Sequence, residues 1–404
     1  MEQQNPFRII IVGGGIAGLA AAVSMRGPNR RIVVLEKSRM SREVGALISL
    51  QPNASKIVDK WAIGSFLASA DPIIDRAFRV LDTNGKTQMH IDLDTAMFGA
   101  NRICYHRQDL HAALREAAAS SSLAGAPAEI LTASEVVDCD CTAGIVTLTD
   151  GTTYEGDLII GADGIHSAIR KAVAPGAAEP KPTGLSAYRL LIETAKIDSL
   201  EIPKEVFDPR APLTTMMMGH SRRVIMGPDE HMNESSLSNS WTTEGSLESM
   251  LDTFSDFPFW LRNIFKQAPD LALWQLRDID SLNTWASGRA IIIGDASHAM
   301  LPTQGQGASQ SIEDAEALQA FFADVTSQPS AAQVSERLSR IFEARHARAS
   351  LIQAYSRQQA RPATDGQSLK VTLNPAEFMQ YNCNYNGAVD WWQKQGGTAR
   401  AKVA

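Results

Sequence analysis

The sequence predicts an α/β protein: a parallel-sheet core, a β-sheet domain inserted into it, and helices at the C-terminal end. Three observations carry that prediction. Ile9 to Val12 is an unbroken apolar run, as a strand buried on both faces requires, and it feeds Gly13-x-Gly15-x-x-Gly18 and an alanine-rich helix. Two further apolar runs, Asp157-Leu-Ile-Ile and Arg289-Ala-Ile-Ile-Ile, also lead into small-residue turns, over 158–164 and 290–296. Segments 76–94 and 183–275 break this strand–helix rhythm with alternating or irregular strand patterns.

The glycine turn has a physical logic. Gly13 permits a tight turn, Gly15 lets a pyrophosphate approach the backbone, and Gly18 lets helix and strand pack closely. The helix start then places partial positive charge on the phosphates. A second apolar strand, Arg31-Ile-Val-Val-Leu, ends in Glu36, 36 − 13 = 23 residues after the first glycine. That is near the ~20 expected of the acid that binds a ribose hydroxyl. Gly13, Gly15, Ala17, Gly18, Glu36 and Lys37 are therefore the expected contacts of a dinucleotide.

Along the chain, glycines and polar residues over 38–53, Ala46 among them, read as a loop beside a ligand. A helix is expected from about 54 to 70. Asn84-Gly85 between two alternating runs signals a hairpin belonging to a separate sheet. A helix follows over 107–122. Glu129-Ile-Leu, Gly144-Ile-Val-Thr-Leu-Thr and Thr153-Tyr form a three-strand pattern, with Asp150-Gly151 as its last turn. Proline and alanine crowd 174–182, a crossing between domains. Amphipathic helices are expected over 308–322 and 332–359, with a loosely structured tail beyond 361. The expected division is 1–72, 101–180 and 276–330 for the cofactor domain, 73–100 and 181–275 for the substrate sheet, and 331–404 for a helix and tail.

The bulk composition narrows the function. The 404 residues are 44% hydrophobic and 21% charged, an ordinary globular balance. A net charge of −7 without a Lys/Arg run argues against nucleic acid as a partner. The four cysteines lack metal-site spacing, so no metal is expected, and they fit reduced thiols in a cytoplasmic setting. No apolar window of about 18 residues calls for a membrane span.

The three turns share one design, and in an open α/β sheet such turns lie where ligands bind. Asp163 and Asp295 each follow a small residue there; taken singly, each also reads as a turn or helix-capping aspartate. Together the motifs resemble the single-component FAD-dependent aromatic hydroxylases, the p-hydroxybenzoate and salicylate hydroxylase-like flavoproteins. Gly13-x-Gly15-x-x-Gly18 matches the family's ADP-binding fingerprint. Gly161-Ala-Asp163-Gly-Ile-His-Ser-Ala-Ile-Arg170 matches its Asp-Gly motif, used near the pyrophosphate and for the nicotinamide cofactor. Gly294-Asp295-Ala-Ser-His298-Ala-Met-Leu-Pro302 matches its Gly-Asp motif, whose aspartate binds the ribityl chain. Gly305-Gln-Gly307-Ala308 continues the pattern onto a flavin-facing helix, and His106-Arg107-Gln-Asp-Leu resembles the stretch whose arginine holds FAD. The resemblance implies a Rossmann-like FAD-binding domain. One departure stands out: the family loop reads Gly-Ala-Gly-Ile, and this chain has Gly45-Ala46-Leu47-Ile48. In the relatives that glycine lies near the isoalloxazine edge.

On the substrate side the resemblance points to Tyr188 and Arg189, an aromatic-Arg pair facing the flavin. A guanidinium there holds a carboxylate or phenolate; the competing reading is a surface arginine on a strand. His220 is a candidate proton acceptor, set against a solvated histidine. Pro302 stiffens the approach to the ring, or merely punctuates a loop, and His298 reads as structural. A single dinucleotide fingerprint disfavours enzymes that dock NADPH in a second Rossmann domain, and no Cys-x₄-Cys pair supports a disulfide reductase. The resemblance implies an FAD enzyme, with NADPH or NADH as transient co-substrate, that hydroxylates a phenol with O₂ through a flavin C4a-hydroperoxide, as monomer or homodimer. The alternatives are a flavin dehydrogenase or oxidase without oxygen insertion, and a catalytically silent FAD-binding protein.

Overall fold

A computed structural model describes residues 5–40, 47–227, 242–268, 271–360 and 371–398. Its core is a six-stranded sheet in the order Ala286–Ser287, Ala290–Ile292, Leu158–Gly161, Phe7–Val12, Arg30–Leu35, Glu129–Leu131. All neighbours are parallel except the first pair. The register matters for function: Leu35, Val12, Gly161 and Ile292 stand at one level, strand to strand. The next residues of those strands therefore leave the sheet side by side, and they are Glu36, Gly13, Ala162 and Ile293. Three motifs separated by hundreds of residues thus reach one sheet edge.

The alanine-rich helix Ile16–Ser24 is buried along its whole length, which its small side chains permit. It packs between the helices Arg107–Ala119 and Gly307–Phe321. The long helix Ala331–Ala360 lies against Gly307–Phe321.

A four-stranded sheet, Arg223–Met226, Leu213–Met218, Ala77–Asp82, Thr87–Asp92, and a three-stranded one, Lys181–Arg189, Ala272–Asp278, Thr242–Glu244, stand apart from this core. They enclose a second cluster that includes Leu81, Met217, Phe257, Leu261 and Phe265. The hairpin signalled by Asn84-Gly85 pairs Ala77–Asp82 with Thr87–Asp92, in this separate sheet. A fully buried carboxylate, Asp75, joins the two halves. It accepts from Thr214 N (3.1 Å) and Oγ1 (2.6 Å) and pairs with Arg102 at 3.1 Å.

Four expectations are corrected. Glu129–Leu131 pairs in parallel with Arg30–Leu35, and the antiparallel meander is Val136–Asp140, Ile145–Leu148, Thr153–Glu155. Leu47–Leu50 is a strand, paired with Arg102–His106, and not a loop. The helix expected over 54–70 is broken at Ala62, which sits at φ 58°. The tail is not loose: Pro375–Cys383 and Ala388–Thr398 are helices. The first has a full capping box, Asn374 with Glu377, and proline at its first turn.

Candidate active site

The glycine turn is over-determined by its surroundings. A Cβ on Gly13, at φ 102°, would lie 2.4 Å from the Ala162 carbonyl oxygen, and one on Gly18 would lie 1.9 Å from that of Gly13. Only glycine fits either place. Glu36 reaches back over the turn: one carboxylate oxygen accepts from Gly14 N at 2.7 Å, the other from Ser38 N at 2.7 Å. Lys37 beside it is exposed, and Ala17 packs under the Gly294 turn, where a Cβ would meet it at 2.7 Å.

At Gly15 the picture reverses. A Cβ there would meet nothing within 4 Å, and the Gly15 N–H has no hydrogen-bond partner among the described residues. The same openness holds at Gly307, the first residue of its helix. Open helix starts of this kind favour an anionic group.

Asp295 opens the short helix Asp295–His298 and faces solvent with no hydrogen-bond partner among the described residues. Its placement is fixed from behind. Gly294 adopts φ 58°, and its N–H donates to Asp314 Oδ2 at 2.9 Å. The same oxygen accepts from His298 Nε2 at 2.7 Å, which accounts for His298 as a structural residue. Asp314 belongs to a fully buried cluster with Glu313, Arg345 and Arg348. Arg345 bonds both carboxylates; Arg348 bonds Glu313 and donates to the carbonyls of Tyr381 (2.9 Å) and Asn382 (2.9 Å). Burial alone would push Glu313 and Asp314 up. Arg348 and Arg345 for the first, His298 and Arg345 for the second, hold both below the usual carboxylate range.

Pro302 starts a single 3₁₀ turn and is exposed; Gly305 closes that turn at φ 59°. A Cβ on Gly305 would touch Ser49 and Gln51, so the strand Leu47–Leu50 lines this entry. Ala308 is half-buried against the core. Ala46 lies outside the described residues. Leu47 turns toward the second half, its Cδ2 2.2 Å from where Gly227 would carry a Cβ. Asp163 resolves as a helix cap: it accepts from Ser167 Oγ (2.5 Å), Ala168 N (2.7 Å) and Ile169 N (3.2 Å) at the start of Ala168–Val173. The adjoining His166 is exposed, and burial, then Arg277, Arg170 and Lys37, hold its pKa down. That clustering of cations beside the glycine turn had no signature in the sequence.

On the substrate side, the structure separates the predicted residues. Arg189 ends its strand half-buried, with its guanidinium 4.8 Å from the Trp274 ring centroid on the neighbouring strand. Burial, then the charge of Arg107 at the start of Arg107–Ala119, lower its pKa. No carboxylate pairs with Arg189 among the described residues. Tyr188 points to the opposite face, as alternation along a strand requires, and meets Phe254 edge-on at 6.4 Å in the second core. His220 is exposed in the turn between Leu213–Met218 and Arg223–Met226. The Gly227 end of that strand meets Leu47, and four residues of strand, roughly 13 Å, separate Arg223 from it. His220 lies beyond the far end. Arg223 donates to the Gln359 carbonyl at 2.6 Å. Thus Arg189 lies within the electrostatic reach of Arg107, whereas Tyr188 enters the second core and His220 is exposed in a turn.

Among the described residues no helix is long and apolar enough to cross a membrane. Comparison with known proteins identifies the family. A 3-hydroxybenzoate 6-hydroxylase from Aquipseudomonas alcaligenes is 31% identical over 363 residues, 86% of this chain and 87% of that protein. A hispidin-3-hydroxylase from Neonothopanus nambi is 28% identical over 379 residues, 87% and 88% of the two chains. A salicylate hydroxylase solved as a substrate complex superposes with TM-score 0.74 over 96% of this chain and 98% of that one, at 24% identity, which speaks for the fold. The family described as "FAD binding domain" matches residues 7–354, and the chain belongs to it, as an FAD-dependent monooxygenase of the single-component aromatic hydroxylase type.

Proposed function

We propose that the enzyme hydroxylates an electron-rich phenol, using one O₂ and one NAD(P)H: substrate C–H + O₂ + NAD(P)H + H⁺ gives C–OH + H₂O + NAD(P)⁺. Supporting this is the half-buried Arg189, stacked on Trp274 within the electrostatic reach of Arg107, with no carboxylate partner among the described residues. A desolvated guanidinium in the field of a second cation favours an anion between substrate sheet and cofactor side. It would bind a phenolate or ring carboxylate, and by favouring the phenolate it would raise the ring's electron density.

The residues fit FAD. We assign the diphosphate to the N–H groups at Gly15 and the helix start, an adenosine ribose hydroxyl to Glu36, and the ribityl chain to Asp295. The helix opening at Gly307 faces the flavin, and Arg107 contributes charge. When bound and reduced, FAD supplies the activation of O₂. The chain's own task is to orient the ring, exclude water and hold the substrate's oxygen deprotonated. Lys37 and Arg277, the cations beside His166, form an approach for the phosphates of the reductant. Relatives act on 3-hydroxybenzoate and hispidin by name, both hydroxylated aromatics, which supports the substrate class.

The test is a screen of phenols and phenolic acids, reading NAD(P)H oxidation together with product formed under ¹⁸O₂. One labelled oxygen in the product is expected. Phenol-dependent oxidation that leaves no label in the product would replace this reading with a dehydrogenase.

A further inference from the structure

We infer that His111, four residues after Arg107 on the same helix, is a positioning residue for the FAD diphosphate. It is 4% exposed, and its Nε2 lies 2.7 Å from the Gly14 carbonyl oxygen. A carbonyl only accepts, so Nε2 carries the proton and donates. The peptide unit it holds joins Gly14 to Gly15. In a trans peptide the carbonyl and the following N–H point in opposite directions. Fixing the Gly14 carbonyl toward His111 therefore fixes the Gly15 N–H away from it. That N–H is the one without a partner among the described residues, at the position where a Cβ would meet nothing within 4 Å.

The need for such a tether follows from the sequence. Gly13-Gly14-Gly15 has no side chains to bias its backbone, and a Gly-Gly peptide turns over at little steric cost. Turned over, the peptide would aim a carbonyl instead of an N–H at a diphosphate. Glu36 holds the Gly14 N–H from one side, and His111 holds the Gly14 carbonyl from the other. Between them both ends of residue 14 are fixed before the cofactor arrives. Since Arg107 sits one turn earlier, one helix face then addresses the cofactor twice, once by charge and once through the backbone it orients.

Three variants of the full chain, His111→Leu, His111→Asn and His111→Gln, test this beside the parent. Gln carries an N–H at the reach of Nε2; Asn falls short of it. Apoprotein is titrated with FAD, and separately with ADP as the diphosphate probe and adenosine as the control. His111→Leu and His111→Asn are expected to bind FAD and ADP about 5- to 30-fold more weakly. Gln should restore most of the loss, and adenosine binding and apoprotein melting should change little. If Leu does not fold, the Asn-against-Gln contrast carries the test. Equal FAD and ADP affinity in parent and Asn, equal weakness of Asn and Gln, or a loss that adenosine shares would each overturn the inference.

Discussion

Replacing Arg189 by alanine tests the substrate side most directly. The guanidinium has two known neighbours, the Trp274 ring at 4.8 Å and the Arg107 charge. Its removal costs a cation–π contact of about 0.5–2 kcal/mol, and it relieves repulsion and the desolvation of a charge. These oppose each other, so folding stability should change by no more than about 1 kcal/mol. Transition-state binding has no such compensation. A charge-assisted hydrogen bond is worth about 1.5–3 kcal/mol, which is about 10- to 150-fold in kcat/KM. Arg189→Lys keeps the charge without the planar fork and should recover only part of it. The assay is steady-state NAD(P)H oxidation coupled to product with an accepted phenol, beside flavin content and a melting curve. Full flavin content, an unchanged melt and a fall in kcat/KM are expected together. A normal kcat/KM in the alanine variant would return Arg189 to an ordinary strand arginine and move the search for the anchor to Arg223.

Three further outcomes are expected. Asp295→Ala should weaken FAD about 10- to 150-fold by removing a charged acceptor, and full flavin retention through dialysis would refute its assignment. Leu47→Gly should speed flavin reduction by NADPH and raise uncoupled peroxide. Gly227→Val, which strikes Leu47 in the parent, should be tolerated better in that background; an unchanged reduction rate would remove Leu47 from the site. Glu313→Gln leaves two buried guanidiniums with one carboxylate, and should cost about 3–5 kcal/mol in urea unfolding. Because the folded acids titrate low, their contribution is full above the unfolded values of roughly 4.3 and 3.9 and fades as pH falls through the folded ones. The parent should therefore lose stability more steeply than Glu313→Gln between about pH 5 and 3, and parallel curves would contradict this.

Legibility in the sequence followed the range of the forces involved. Strand–turn–helix motifs are local, and their glycines are demanded by contacts such as Gly13 against Ala162, so the turns at the sheet edge could be read residue by residue. The tail could also have been read: Asn374-Pro-Ala-Glu377 is a capping box with proline in the first turn. What hid it was the lack of an apolar stripe, since Tyr381, Tyr385 and Trp391 bury their rings against arginines. Glu129–Leu131 was misplaced because a three-residue strand has no periodicity to declare which sheet it joins. Tyr188 and Arg189 cannot share one face of their strand, and period-two alternation alone says so; which of them enters the second core is not local information. His111 and the cations around His166 depend on contacts between distant segments, which no single window contains.

The buried arginine pair also ties the Gly294 turn to the C-terminal helices. Every FAD motif precedes residue 317, yet the Gly294 turn is held by Asp314. Asp314 is balanced by Arg345, and Arg348 is completed by the carbonyls of Tyr381 and Asn382. In sequence, the glycine fingerprint lies about 300 residues ahead of the partners that hold the Gly294 turn. Without residues 371–383 the Arg348 guanidinium would lack the two carbonyls that complete its buried hydrogen bonds. The buried acids behind the Gly294 turn thus have their countercharges completed from the far end of the described chain.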